Sequence, residues 1–193
     1  MRFVKLVSIL ILTSCYPDTI PYLQTHTATE AVRCLEQLAF EEEIPFIYKT
    51  CDTIEGLEES LNTLFYNDPN FIHYEIIYIV ISGEGNNICL NEYYYSLEEI
   101  AELFEGKMKG KILHFSNTKV LDLSEEEAQY FLDITGARAV SGYEAVHKNL
   151  SSNIIDKTFF SLCQEQYNVI EIVEELYQKQ YALCKLLDFR MYY

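Results

Sequence analysis

The 193-residue chain carries 30 acidic against 14 basic residues, a formal net charge of −16, with 49% hydrophobic and 23% charged residues. That balance fits one globular α/β domain spanning residues 1–193 and excludes a disordered chain. A field of this sign repels phosphate backbones, so nucleic acid is not an expected partner; the acidic excess serves as a solubilising shell or as a surface for a basic partner.

Strand and helix signals alternate along the chain. Residues 4–12 form a compact β-prone run and are read as the first strand, buried in a sheet. Leu6 to Leu12, with Arg2 and Lys5 ahead of them and Leu12-Thr13-Ser14-Cys15 at their end, also have the pattern of a signal followed by a lipoprotein cleavage box. The strand is preferred and implies a cytoplasmic protein; a lipoprotein cleaved before Cys15 is the alternative. Thr27 and Glu30 have capping-box spacing ahead of a first helix with Ala31, Leu35, Leu38 and Ala39 on its apolar face. Residues 44–49 make a short second strand, and Pro45 places its start at a sheet edge. Asp52 and Glu55 open a second helix that Asn67-Asp68-Pro69-Asn70 breaks.

Residues 76–81 are unbroken apolar sequence, as a central strand covered on both faces requires. Residues 88–90 and 93–95 then read as a small hairpin. Ser96 and Glu99 cap a helix ending near Gly106, residues 111–115 are a fourth strand, and Ser124 with Glu127 caps the next helix, which stops at Gly136. Residues 137–141 are a fifth strand; 154–163 and 169–187 are helices. Strands joined by helices imply a three-layer α/β/α sandwich with a mostly parallel sheet of five to six strands. No later stretch is long enough to span a membrane.

In such sheets function gathers at the carboxyl ends of the central strands, near the point where strand order reverses. Two segments take that place: Ser82-Gly83-Glu84 with the following Gly85-Asn86-Asn87, and Ser116-Asn117-Thr118-Lys119. Around them the chain resembles a family of bacterial caspase-like proteins related to the CHAT peptidases. The landmarks that carry the resemblance are the apolar strand ending in Gly83-Glu84, Ser96-Leu97-Glu98-Glu99, Glu105-Gly106-Lys107, His114-Phe115, Leu121-Asp122, Thr135-Gly136-Ala137, Val140-Ser141-Gly142-Tyr143 and Phe189-Arg190-Met191. The resemblance implies a caspase-like or flavodoxin-like sheet with a small hairpin after the third strand. In active relatives it also implies a His-Gly at the third strand tip and a cysteine at the fourth. Here those positions are Ser82 and Thr118, so both halves of the dyad are lost.

A threonine hydroxyl needs a base to become a nucleophile, and a serine is no base near neutral pH. The expectation is therefore a catalytically inactive pseudo-peptidase whose vacant cleft comprises Ser82, Gly83, Glu84, Ser116, Asn117 and Thr118. By the same resemblance it would bind, regulate or scaffold in a bacterial stress or defence system, with a protein partner or as a homodimer. The competing expectation is a cysteine peptidase with a relocated dyad built on Cys89 or His114, although a lone histidine inside a strand is more often a satisfied core group. His73 sits in a polar connection, and His26 and His147 have no thiol near them in sequence.

The remaining signals point to no ligand. The six cysteines have no C-x-x-C spacing, and no Cys/His cluster suggests a metal site, so neither cofactor nor metal is expected. Gly83-Glu84-Gly85 lacks the ending of a phosphate loop and is read as a turn shaped by Asn86 and Asn87. The 16 tyrosines, with Tyr93-Tyr94-Tyr95 on one hairpin strand, are read as half-buried packing or as a docking surface.

Overall fold

A computed structural model describes residues 8–13, 24–119, 121–144 and 151–193, the side chains of 8–13, 24–28 and 117–119 excepted. The signal and lipobox residues 1–7 and 14–15 lie outside that set, as do Lys5 and His147.

Among the described residues, eight strands and six α-helices follow in chain order. They are β1 (Ser8–Thr13), α1 (Gln24–Glu42), β2 (Phe46–Thr50), α2 (Ile54–Asn67), β3 (Tyr74–Val80), β4 (Asn87–Leu90), β5 (Tyr93–Ser96) and α3 (Leu97–Leu103). Then come β6 (Ile112–Lys119), α4 (Glu125–Thr135), β7 (Ala139–Tyr143), α5 (Asn153–Glu165), α6 (Val169–Leu186) and β8 (Phe189–Tyr192). The main sheet runs β2-β1-β3-β6-β7-β8, with β4 and β5 paired apart from it. All neighbours in the main sheet are parallel except β7 and β8. The predicted three-layer α/β/α sandwich with a small hairpin after the third strand is the observed fold class, and strand order reverses between β1 and β3.

Local chemistry explains most boundaries. Ser96 and Ser124 each accept from the backbone three residues on, while Glu99 and Glu127 reach back to close reciprocal capping boxes. Gly136, at φ 74, ends α4 in the left-handed conformation that costs glycine least. Pro45 lies one residue ahead of β2, which is an edge strand as that proline suggested.

Four expectations need correction. α1 begins at Gln24, so the Thr27–Glu30 spacing falls inside the helix and caps nothing at its start. Thr53 rather than Asp52 caps α2, its side chain accepting from Gly56 N at 3.1 Å. The fourth strand, β6, runs on to Lys119, because pairing with β7 resumes at Lys119↔Tyr143 after an irregularity. Phe189–Tyr192, read only as a closing segment, is an antiparallel edge strand, too short for its alternation to show in sequence.

The sheet separates two apolar clusters. α2, α3, α4 and the hairpin pack on one face through Leu57, Leu61, Ile100, Phe131, Ile88 and Leu90. α1, α5 and α6 pack on the other through Leu35, Phe159, Phe160, Cys163, Ile172 and Leu176. No described helix is long and apolar enough to cross a membrane.

Gly142 of β7 packs closely against β6 and the loop that follows it. A Cβ there would stand 3.1 Å from Phe115 O and 3.3 Å from Leu121 Cβ. Gly142→Ala is expected to destabilise by about 1–3 kcal/mol through overpacking, read as a lower denaturant midpoint at unchanged slope.

Candidate functional site

The third and fourth predicted strands, β3 and β6, are neighbours, so their carboxyl ends lie side by side. Beyond β3 the chain bends at once into the hairpin. Gly83 bridges Ile88, and Cys89 N donates to Ser82 O at 2.7 Å. Ser82 and Gly83 are half-buried and Glu84 is exposed. Asn86, at φ 62, takes the left-handed turn position, and Asn87 Nδ2 donates to the carbonyls of Glu84 and Gly85.

Asn86 also exchanges two bonds with the backbone of Asp122, at 2.8 and 2.7 Å, which clamps the loop after β3 to the one after β6. The Asp122 carboxylate in turn accepts from Arg190 of β8, which also holds Glu144 and Asp188. One guanidinium thus ties the exits of β6 and β7 to β8. These contacts bring together loops distant in sequence, and nothing local in the sequence announced them.

Ser116 does not line a cleft. It is 1% exposed and turns into the layer formed by α1, α5 and α6, away from solvent. The backbone of Asn117 and Thr118 continues β6 rather than forming a turn, and their side chains lie outside the described residues. The surface hollows on α2 and between α1 and α5 include none of the six expected cleft residues.

A buried polar cluster occupies the sheet behind that edge. Register sets Tyr78, His114 and Ser141 in one row across β3, β6 and β7. Strand alternation then sends Ser116 and Tyr143, two positions further along, to the same face. Asp156 of α5 points into this row and collects five donors. His114 Nε2 at 3.0 Å and Tyr143 OH at 2.5 Å reach Oδ1. Tyr78 OH at 2.6 Å, Ser152 Oγ at 2.9 Å and Ser116 Oγ at 3.1 Å reach Oδ2. The remaining His114 nitrogen, Nδ1, lies 2.9 Å from Ser141 Oγ. Tyr78 stacks on the imidazole, and Phe159 and Phe160 close around it.

Charge within the cluster follows from these contacts. Burial opposes ionisation of Asp156, but the hydrogen bond and attraction of His114, with the hydroxyls of Tyr143 and Tyr78, more than offset it and hold the carboxyl below its ordinary range. A carboxylate can only accept, so the Nε2 proton belongs to the imidazole. Burial, then the charge on Asp156, pushes both the Tyr78 and Tyr143 phenols well above their ordinary value.

Hydroxyl, imidazole and carboxylate in series, Ser141–His114–Asp156, is the order of a hydrolase proton relay. Here all three side chains are sealed, at 0%, 0% and 1% exposure, so no substrate carbonyl reaches the hydroxyl. Both imidazole nitrogens are engaged by oxygen, which leaves none for a thiol. Burial, followed by the charge on Asp156, pushes the Cys34 thiol up to about 11, and burial pushes Cys184 up to about 11. A nucleophilic thiol needs the opposite shift. Among the described residues no group of three His, Cys, Asp or Glu side chains is placed to hold a metal ion.

Sequence reasoning passed over Asp156, Tyr78, Ser141, Tyr143 and Ser152 as site residues. One signal was present for Asp156: it falls at helical spacing from Phe159, Phe160 and Cys163, on the apolar stripe of α5. A carboxylate on such a stripe needs buried donors.

Residues 15–193 match the model of a family described as a family of unknown function (DUF6642). No curated protein matches the chain.

Proposed function

The chain belongs to that family of unknown function, and from its own residues we propose that it is a catalytically inactive caspase-like domain that works in the cytoplasm by binding another protein. The observation that carries this reading is the pair of hydroxyl residues, Ser82 and Thr118, at the adjacent ends of β3 and β6 where a dyad would need imidazole and sulfur. Supporting it, the hairpin follows β3 as the resemblance implies, and His114 is committed to Ser141 and Asp156. The landmark residues His114, Ser141 and Tyr143 act in this reading as core scaffolding.

A thiol-directed peptide electrophile tests the proposal. The expected result is slow labelling of accessible cysteines, unaffected by changing any histidine, and no hydrolysis of a fluorogenic peptide library. Stoichiometric labelling of one cysteine, abolished by substituting one histidine such as His114, would overturn it in favour of a relocated dyad.

A further inference from the structure

The two helical layers differ in charge. α2, α3 and α4 carry three, three and four carboxylates, all exposed, and no lysine or arginine. The opposite layer has Arg33 on α1, Lys157 on α5, and Lys179 and Lys185 on α6. Between Lys49 and Lys107 the chain has neither lysine nor arginine, and Lys107 turns its ammonium onto Leu103 O at 2.8 Å.

A shell serving solubility alone mixes both signs and exposes few aromatics. This layer does neither. Tyr66, Tyr93 and Tyr94 are 72%, 66% and 60% exposed. Asn91 and Glu92, both left-handed, form the tight turn that sets Tyr93 and Tyr94 at the hairpin tip. Ile54 at the start of α2 and Tyr95 of the hairpin pack against the same apolar cluster, with Leu57, Ile88 and Leu90 in it, so the hairpin and α2 share one face of the sheet. On the outer face of α2, Glu55, Glu58, Glu59 and Tyr66 line a shallow hollow.

We infer that the outer face of α2 and the β4–β5 hairpin together dock an arginine- and lysine-rich segment of a partner protein. Carboxylates pair with guanidinium and ammonium groups, while the tyrosine faces take the cations and their aliphatic stems. The inference rests on the reading of the chain as a binding domain and names the chemistry of its partner.

The test titrates the isotope-labelled full-length protein with a short Arg/Lys-rich peptide, and separately with the same peptide carrying Glu at every basic position. Amide shifts should concentrate in α2, α3 and the hairpin, and the Glu peptide should leave them unmoved. Glu55→Gln, Glu58→Gln and Glu59→Gln combined should weaken binding about tenfold, as should Tyr93→Ala with Tyr94→Ala. Shifts as strong on α1, α5 and α6, equal binding of the Glu peptide, or no binding of the basic peptide would overturn the docking face. Because the shift map uses the unaltered chain, it decides the matter even where a variant fails to fold. Hydrolysis of the peptide during titration would instead overturn the binding-domain reading, which keeps the two failures distinct.

Discussion

Asp156→Ala is expected to destabilise the fold by about 3–5 kcal/mol, because the substitution strands buried donors rather than removing a pair cleanly. His114 Nε2 and the hydroxyls of Tyr143, Tyr78, Ser152 and Ser116 all lose their shared acceptor. For a chain of this size the thermal midpoint should fall by roughly 10 °C. Differential scanning calorimetry checks it, and a change within about 2 °C would show that the cluster contributes little. His114→Phe, which removes a donor but keeps an aromatic body among Tyr78, Phe159 and Phe160, is expected to cost less than Asp156→Ala.

The same cluster gives the stability a pH signature. The Asp156 carboxyl lies below its ordinary range when folded, so its contribution is complete above about pH 4 and is lost as pH falls toward the folded value. The Tyr78 and Tyr143 phenols lie well above theirs. Their contribution is therefore complete below about pH 10 and is lost at higher pH, where the unfolded phenols ionise. In Asp156→Ala the acid limb should flatten relative to wild type, which a series of denaturant titrations across pH would show.

Removal of residues 1–14 should abolish cooperative folding altogether. β1 lies between β2 and β3, in parallel register with both from Ile9 through Thr13. Without it the two neighbours stand two strand spacings apart, about 10 Å, and the backbone groups of β3 on that side lose their partners in the interior. A chain shortened to begin at Cys15, as lipoprotein processing would make it, should give circular dichroism without a sigmoidal melt. A cooperative melt close to that of the full chain would mean that β1 is dispensable. The effect is larger than any side-chain substitution because it divides the sheet.

Much of the fold was readable in the residues themselves. The all-apolar run ending at Ile81 fitted a strand covered on both sides, and β3 is the third of six strands in the sheet. The capping boxes at Ser96 and Ser124 located α3 and α4 because an N-cap depends on residues within one turn. Interactions of longer span were not legible. β8 is defined by pairing with β7 rather than by its own four residues, and β6 runs on past Phe115 because its pairing with β7 resumes at Tyr143.

By itself the sequence determined the alternation of strand and helix, the charge of the molecule and the hydroxyl character of positions 82 and 118, since each depends on local pattern or on residue identity alone. The tertiary structure alone decided that Ser116 faces the interior, that His114 is sealed between Ser141 and Asp156, and that the carboxylates of three cation-free helices share one face. Those outcomes depend on which residues stand opposite one another across β3, β6, β7 and α5. Register and packing set that, and neither is written in any short stretch of chain.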